Sequence, residues 1–284
     1  MASSASRPDT LGPLNPGNVV SAALRLYRDR FKMYFGLSVK AYLWLLIPVY
    51  GWAKYFAIAG LMSRLAFQEV ISQPETPDEA RRHVTPKLWS FLGLALLIGL
   101  LFIAAYLVLI IAAIIPGVVV GGLSAVALSP IFGENVGPAI GVAVGALIGF
   151  AVFVIGFIWL ISRLLIPEVP LAIEPEVTSS DSISRSWNLT KTSVVRIQFV
   201  VVAAFLINLP VVLVLNYLPQ LLLLGLDPGT PAYWLAYTLT FVLSFLGGMV
   251  VLPFWQAVKG VLYYDLRSRR EGLDLQLRNP KSDF

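Results

Sequence analysis

The chain contains no cysteine, and this absence excludes several kinds of chemistry. Disulfides, thiolate nucleophiles, cysteine-ligated zinc and iron–sulfur clusters all need a sulfur ligand that the sequence does not supply. Histidine is nearly absent as well, because His83 is the only one. Its position beside Arg81 and Arg82 predicts an interfacial side chain, since a metal site would need further ligands close by. We therefore expect no cofactor, no metal and no catalytic constellation.

Charge is also scarce, since 13% of the 284 residues are charged and 57% are hydrophobic. That composition is typical of an integral membrane protein. Glu134 is the only charged residue in the stretch 88–162, and Asp227 is the only one in 197–258. Because about 20 apolar residues cross a bilayer, each stretch is long enough for two spans with a turn at its acid. The predicted helical hairpins pair 88–115 with 138–162, and 197–216 with 232–258.

A third apolar region, residues 33–67, is predicted to form a shorter hairpin around the turn at Pro48–Gly51. Its arms are short for full spans, so the region either crosses the bilayer or re-enters it. Lys40 and Lys54 lie within it, and ionisable residues at membrane depth are candidates for a substrate or proton site. The alternative is that both ammonium groups extend to the headgroups while their stems stay among apolar groups.

Basic residues cluster at the ends of the apolar stretches, whereas the loops around Glu134 and Asp227 contain no lysine or arginine. The positive-inside rule therefore predicts that both termini lie in the cytoplasm. We expect the membrane to be a bacterial-type inner membrane, cytoplasmic or thylakoid. The same rule accounts for the net charge of +5 without a nucleic-acid partner. We expect a disordered polar segment at 1–17, one transmembrane domain at 18–262 and a charged cytoplasmic tail at 263–284.

Each hairpin is preceded by an amphipathic basic segment that we expect to lie in the headgroup plane. In addition, Ser63-Arg64-Leu65 precedes Glu69-Val70 at the same spacing as Ser162-Arg163-Leu164 precedes Glu168-Val169. We interpret this correspondence as an internal repeat. The repeat would bring together three arginines as a site for an anionic headgroup. These are Arg64, Arg163 and Arg185. Ion pairs with neighbouring acids in a solvated loop are the alternative.

Small residues inside the predicted spans indicate close helix packing, and polar residues there suggest a transport path. Gly141, Gly145 and Gly149 recur every four residues, so a second helix can approach closely. That helix is either the third span of the same chain or a helix of a second copy. Asn208 and Asn216 are the candidate polar residues of the fifth span, and with Lys40 and Lys54 they would line a transport path.

Two segments of the second half resemble a known family. They are Asp181–Lys191, which contains Arg185-Ser186-Trp187, and Leu262–Asp274, which contains Tyr263-Tyr264-Asp265-Leu266-Arg267. Together with Ser162–Leu164 and Pro167–Pro170 they are similar to the membrane-domain family found beside or fused to glycerophosphodiester phosphodiesterases. The resemblance implies a six-span helical architecture in a family of unestablished role. It does not imply hydrolysis, because the phosphodiesterase catalytic domain is not recognised in the chain.

The sequence thus predicts an all-α polytopic membrane protein with about six transmembrane or re-entrant helices, arranged as three hairpins at 33–67, 88–162 and 197–258. We expect it to be non-enzymatic and to bind anionic lipid or a membrane-protein partner as an assembly or regulatory factor. The alternatives are a transporter or flippase for a small amphiphile or lipid, and a membrane-embedded phospholipid-related enzyme. The expected partners are membrane lipids, a membrane protein or a second copy of the chain.

Overall fold

The computed structural model describes residues 14–278, and every regular element in that range is a helix. Of the predicted disordered segment 1–17, residues 1–13 lie outside the described residues, and so do residues 279–284 of the predicted tail. The helices are α1 Pro16–Asp29, α2 Phe31–Leu45, α3 Tyr50–Val70, α4 Pro77–Val84, α5 Leu88–Phe132, α6 Val136–Arg163, α7 Glu168–Ile173, α8 Ser179–Thr190, α9 Val194–Val212, α10 Leu218–Leu221, α11 Pro231–Glu271 and α12 Leu273–Arg278. A 3₁₀ turn, Thr85–Lys87, links α4 to α5, and a π-helical turn, Leu213–Tyr217, links α9 to α10.

Four helical stretches are long and apolar enough to cross a membrane: Pro77–Phe132, Val136–Ile173, Val194–Leu221 and Pro231–Glu271. At most 22% of the residues in their apolar windows are buried. Apolar side chains that face outward can contact lipid. The helical backbone can also lie in the bilayer, because its hydrogen bonds are made within the helix. The prediction of an all-α membrane protein is confirmed by these helices.

The region 33–67 forms the helix pair α2 and α3 but is not among the four candidate spans. With 15 residues, α2 is about 22 Å long at 1.5 Å per residue, which is short of the roughly 30 Å hydrocarbon core. In α3, residues 59–67 are all buried, because α11, α2, α7 and α4 pack around this helix. The structure therefore gives four candidate spans where the sequence predicted about six segments.

The turn between α2 and α3 is tight and strained at one residue. The Tyr50 N–H donates to the Pro48 carbonyl oxygen at 2.8 Å, and Val49 between them has φ 60° and ψ −72°. This is a positive-φ γ-turn, which is costly for a β-branched residue. Gly51 follows, and a Cβ there would lie 2.0 Å from the Trp44 carbonyl oxygen. Only glycine fits this approach of the two backbones.

Residues 96–165 form one compact unit, and the remaining described residues form another. In the smaller unit α5 continues through Pro116 and Pro130 to Phe132, so the helical arms are longer than the predicted 88–115 and 138–162. Proline does not end a membrane helix, because neighbouring groups and local adjustments satisfy the backbone bonds that it removes.

The larger unit has a core built from α1, α3, α7 and the second half of α11. This core includes Tyr263, Tyr264 and Leu266, whose exposed fraction is 0%. The boundary predicted at 262/263 therefore falls inside α11, and the first residues of the predicted tail are core. The many charged residues after position 262 indicated a solvated tail. The apolar and aromatic residues between these charges pack against α1 and α3 instead.

Candidate functional site

Arg64 is a buried cation at the carboxyl-terminal part of α3. It donates to Glu75 from Nε at 2.8 Å and from Nη2 at 2.6 Å, and from Nη1 to the Ala172 carbonyl oxygen at 2.9 Å. Its side chain is 6% exposed. The carbonyls at the end of a helix such as α7 lack partners within the helix. The guanidinium of Arg64 has enough N–H donors to bond these carbonyls and the Glu75 carboxylate together.

Arg185, on α8, is held by two carboxylates from different elements. Its Nε lies 3.2 Å from Glu174 and its Nη1 lies 2.6 Å from Glu271. Tyr263 also donates its hydroxyl hydrogen to Glu174. Burial acts to lower the pKa of Arg185, but Glu174, Tyr263 and Glu271 act to raise it, and the net direction is upward. We call Arg64, Glu75, Glu174, Arg185 and Glu271 the ion-pair cluster.

The structure brings two of the three predicted headgroup arginines to neighbouring residues of one segment. Arg64 bonds the carbonyls of Ala172 and Ile173, and Arg185 bonds the side chain of Glu174. Both guanidinium groups already have protein carboxylates as partners. Arg163 belongs to the smaller unit, where its guanidinium lies 5.5 Å from the ring centroid of Trp159.

Asp265 joins three parts of the larger unit, and its side chain is fully buried. It accepts hydrogen bonds from Arg196 Nε at 2.9 Å, from Arg269 Nε at 3.2 Å and from the Leu14 N–H at 2.7 Å. The start of α1 and the start of α9 are thereby fixed to α11. The sequence analysis placed Asp265 in a tail and missed this role, although an acid four residues before Arg269 indicates an ion pair on one helix face.

A carboxylate also caps the start of α8. Thr178 and Asp181 form a capping box at the start of α8, in which each side chain bonds the backbone N–H of the other. Hydrogen bonds from the Thr178 hydroxyl and N–H lower the pKa of Asp181. Asp181 therefore supports α8 at neutral pH, and this contribution is lost as the pH falls below the pKa of a free aspartate and through the lowered pKa of the folded state.

Many charged side chains of the larger unit are paired within the protein. Several acids bond to a lysine or arginine: Glu69, Glu75, Glu168, Glu174, Asp265 and Glu271. Apart from Arg82, which interacts electrostatically with Glu79, five cations make no hydrogen bond or ion pair with any described residue, and four of them are exposed while Lys54 is half-buried. We call these five the unpaired cations: Arg25, Lys32, Lys40, Lys54 and Lys191. The larger unit therefore presents uncompensated positive charge at its surface.

Two of the unpaired cations, Lys40 and Lys54, line one cavity of about 150 Å³, which we call the α2–α4 cavity. Arg81 is a third cation in its lining, and none of the lining residues is an acid. The Lys54 ammonium also lies 5.5 Å from the ring centroid of Tyr50. The remaining lining residues are Leu37, Trp44, Ala57, Ile58, Leu61, Val84, Thr85 and Leu88.

The other predicted polar residues lie elsewhere. Asn208 is buried in α9 and donates from Nδ2 to the Ala204 carbonyl oxygen of its own helix at 3.0 Å. Asn216 lies in the π-helical turn, and the lining of the α2–α4 cavity includes neither asparagine. Lys40 and Lys54 thus line the same cavity, but Asn208 and Asn216, the other two residues of the predicted transport path, do not line it. Among residues 14–278, no group of three or more histidine or carboxylate side chains is arranged to hold a metal.

Gly141, Gly145 and Gly149 face α5 within the smaller unit. A Cβ on Gly145 would lie 2.3 Å from the Gly117 carbonyl oxygen, and one on Gly141 would lie 2.4 Å from the backbone nitrogen of Ala125. The two backbones approach closely because the residues at the crossing are glycine and alanine. The contact joins the two helices of one hairpin.

Long apolar helices with outward-facing side chains, joined to an ion-paired core, define the class as a helical integral membrane protein. Within that class, residues 140–282 match the model of the family described as the membrane domain of glycerophosphoryl diester phosphodiesterase. The match covers half of the chain, and the protein belongs to this family. The matched range contains α7, α8 and α11, which carry the two resembling segments. No curated protein matches the chain, and no solved structure matches it.

Proposed function

We propose that this membrane-domain protein is a non-enzymatic factor that binds anionic lipid through the unpaired cations and acts in the assembly or regulation of a membrane complex. The observation that carries the proposal is positive charge without a protein counter-ion in the larger unit. Glu75, Asp265 and several other acids are bonded to internal arginines and lysines, whereas Arg25, Lys32, Lys40, Lys54 and Lys191 have no ion-pair partner among the described residues. Lipid phosphates are the nearest anions for cations beside a membrane.

The proposal includes an orientation. The ion-pair cluster and the unpaired cations lie on the cytoplasmic side of a bacterial-type inner membrane, together with both termini, because lysine and arginine near short loops resist translocation. The turns that contain Glu134 and Asp227 lie on the opposite side. The pair α2 and α3 completes the six predicted segments as a re-entrant hairpin, since α2 is too short to span.

The expected strength of lipid binding follows from the number of cations. Each lysine or arginine near an anionic surface contributes about 1 kcal/mol. The five unpaired cations together would favour an anionic leaflet by a few kcal/mol, reduced by salt because exposed charges are screened within about 10 Å at 0.1 M.

The test compares the full chain in nanodiscs of phosphatidylcholine alone and in nanodiscs that also contain phosphatidylglycerol. A ligand that binds the folded state raises the thermal midpoint, and the rise grows with ligand concentration. We expect the midpoint to rise with the phosphatidylglycerol fraction. A midpoint that is the same in both lipids would overturn the proposal and would favour a protein partner as the ligand of this surface.

A further inference from the structure

We infer that the α2–α4 cavity is a binding site for the acidic headgroup of an amphiphile, held between the ammonium groups of Lys40 and Lys54. The inference rests on the proposed function and deepens it, because it names one site and one chemical group. The acidic group is a phosphate ester or a carboxylate, and the apolar chains of the same molecule remain in the bilayer.

Charge is the first argument for this ligand. Lys40, Lys54 and Arg81 line one small cavity, and no acid lines it. Arg81 does bond to Asp78 at 2.9 Å, but the two side chains are 50% and 82% exposed. An exposed pair of this kind is weak, so Arg81 remains able to turn to an anion. Three cations that share an apolar pocket repel one another, and an anion among them removes that cost.

The apolar lining is the second argument. Leu37, Ile58, Leu61 and Leu88 line the cavity beside the cations, although Lys40 is exposed and Lys54 is half-buried. A charge–charge attraction is stronger beside such apolar groups than in bulk water. The combination of a few polar groups with a mainly apolar lining is what small-molecule sites show.

Size decides how much of the amphiphile enters. A cavity of about 150 Å³ is comparable to an engineered one that holds benzene, so it accepts a headgroup and not a whole phospholipid. Residues next to the lining in sequence are exposed and apolar, namely Leu43, Trp52 and Trp89. Tryptophan is typical of the membrane interface, and these side chains give the acyl chains a place to lie outside the cavity.

The aromatic residues around the turn hold one edge of the site. The ring of Tyr50 lies 5.6 Å from that of Trp44 and 6.4 Å from that of Trp89. Tyr50 also contacts the Lys54 ammonium, and such a cation–π contact contributes about 0.5–1 kcal/mol at exposed sites. This contact orients Lys54 without neutralising it, so its charge is kept for the ligand.

The experiment measures lipid retention by native mass spectrometry on the full chain, taken from nanodiscs of phosphatidylcholine and phosphatidylglycerol. The test variant is Lys40→Gln with Lys54→Gln, which keeps a polar side chain at both positions and removes two charges. The matched control is Arg25→Gln with Lys32→Gln, which removes two unpaired cations that do not line the cavity. We expect the test variant to lose at least about tenfold in phosphatidylglycerol affinity and the control to lose less than about threefold, a tenfold change being about 1.4 kcal/mol.

The outcomes separate this inference from the proposed function. Equal losses in the two variants would overturn the cavity as a site while leaving general lipid binding intact. No preference for phosphatidylglycerol in the wild type would overturn both. A third variant, Lys40→Arg with Lys54→Arg, keeps the charge and should retain the lipid. Its failure to do so, with an unchanged thermal midpoint in phosphatidylcholine, would also count against the inference.

A last arm identifies the source of the acidic group. Inorganic phosphate is added to the protein in phosphatidylcholine nanodiscs, and the thermal midpoint is followed. A rise with phosphatidylglycerol and none with phosphate would assign the site to a lipid headgroup. A rise with phosphate that disappears in the Lys40→Gln, Lys54→Gln variant would support the same cations and assign them to a soluble anion. No rise with either probe would overturn the site.

Discussion

At the scale of single residues, Arg64 differs from Arg81 in burial and not in charge. The side chains of Arg64 and Glu75 are 6% and 18% exposed, whereas those of Arg81 and Asp78 are 50% and 82% exposed. Removing one partner of a buried pair leaves a charge without compensation in a poorly solvated place. Removing one partner of an exposed pair leaves a charge that water solvates.

Arg64→Ala should therefore lower the free energy of unfolding by about 3–5 kcal/mol, because Glu75 and the carbonyls of α7 lose their donor. The control Arg81→Ala should cost about 1 kcal/mol or less. Thermal unfolding in one detergent measures both variants. Similar small effects of the two substitutions would contradict the assignment of Arg64 to the core.

Gly145 gives a second prediction at this scale. Gly145→Ala places a Cβ 2.3 Å from a backbone oxygen that cannot rotate away, so α5 and α6 must separate locally. We expect a cost of about 1–3 kcal/mol, as for other overpacked sites. Gly122→Ala is the matched control, because nothing lies within 4 Å of its Cβ position. A control that unfolds as readily as Gly145→Ala would contradict the close crossing of the two helices.

At the scale of elements, Asp265 is the point where α1 and α9 are attached to α11. Asp265→Asn would leave Arg196 and Arg269 without their carboxylate and weaken the bond to the Leu14 N–H. We expect faster amide hydrogen exchange in α1 than in the wild type, since a helix that loses its anchor opens more often.

The control for Asp265 is Glu69→Gln, which removes the half-buried carboxylate partner of Arg30. Arg30 lies at the other end of α1, so the exchange rate near Leu14 should stay unchanged in this variant. Protection of α1 that is the same in both variants would show that its packing alone, through Val19, Val20 and Ala23, holds the helix in place.

The sequence predicted the elements well where polarity changes sharply along the chain. The turn that contains Glu134 and the turn that contains Asp227 lie between helices as expected. It predicted them poorly where apolar residues are buried in protein. Leu61, Leu65 and Phe67 of α3 and Leu266 of α11 are as apolar as lipid-facing residues. Composition alone does not distinguish burial against a helix from burial in lipid.

Candidate site residues were predicted one by one, but their grouping was not. Lys40 and Lys54 were recognised because ionisable residues are rare in apolar segments. Arg81 was missed as a third member, since only the fold of α4 against α2 and α3 brings it to the cavity. The three predicted headgroup arginines were judged by their spacing, and spacing does not reveal that Glu75 and Glu271 reach Arg64 and Arg185 from other parts of the chain.

At the scale of the whole molecule, the two sets of charges should respond differently to salt. The unpaired cations are mostly exposed, so their attraction to anionic lipid is screened. The buried members of the ion-pair cluster are screened much less. We expect the stabilisation by phosphatidylglycerol to fall steeply between low and high ionic strength, while the thermal midpoint in phosphatidylcholine changes little. A lipid effect that persists at high salt would contradict an electrostatic origin.

The most direct test of the central claim, that this membrane-domain protein binds anionic lipid through cations without protein partners, is the identity of the lipids that leave the native membrane with it. The full chain is extracted in a mild detergent, and its retained lipids are quantified by mass spectrometry against the bulk membrane. The account predicts one enriched anionic class in the wild type and its loss in the Lys40→Gln, Lys54→Gln variant. A retained lipid composition identical to that of the bulk membrane would contradict it.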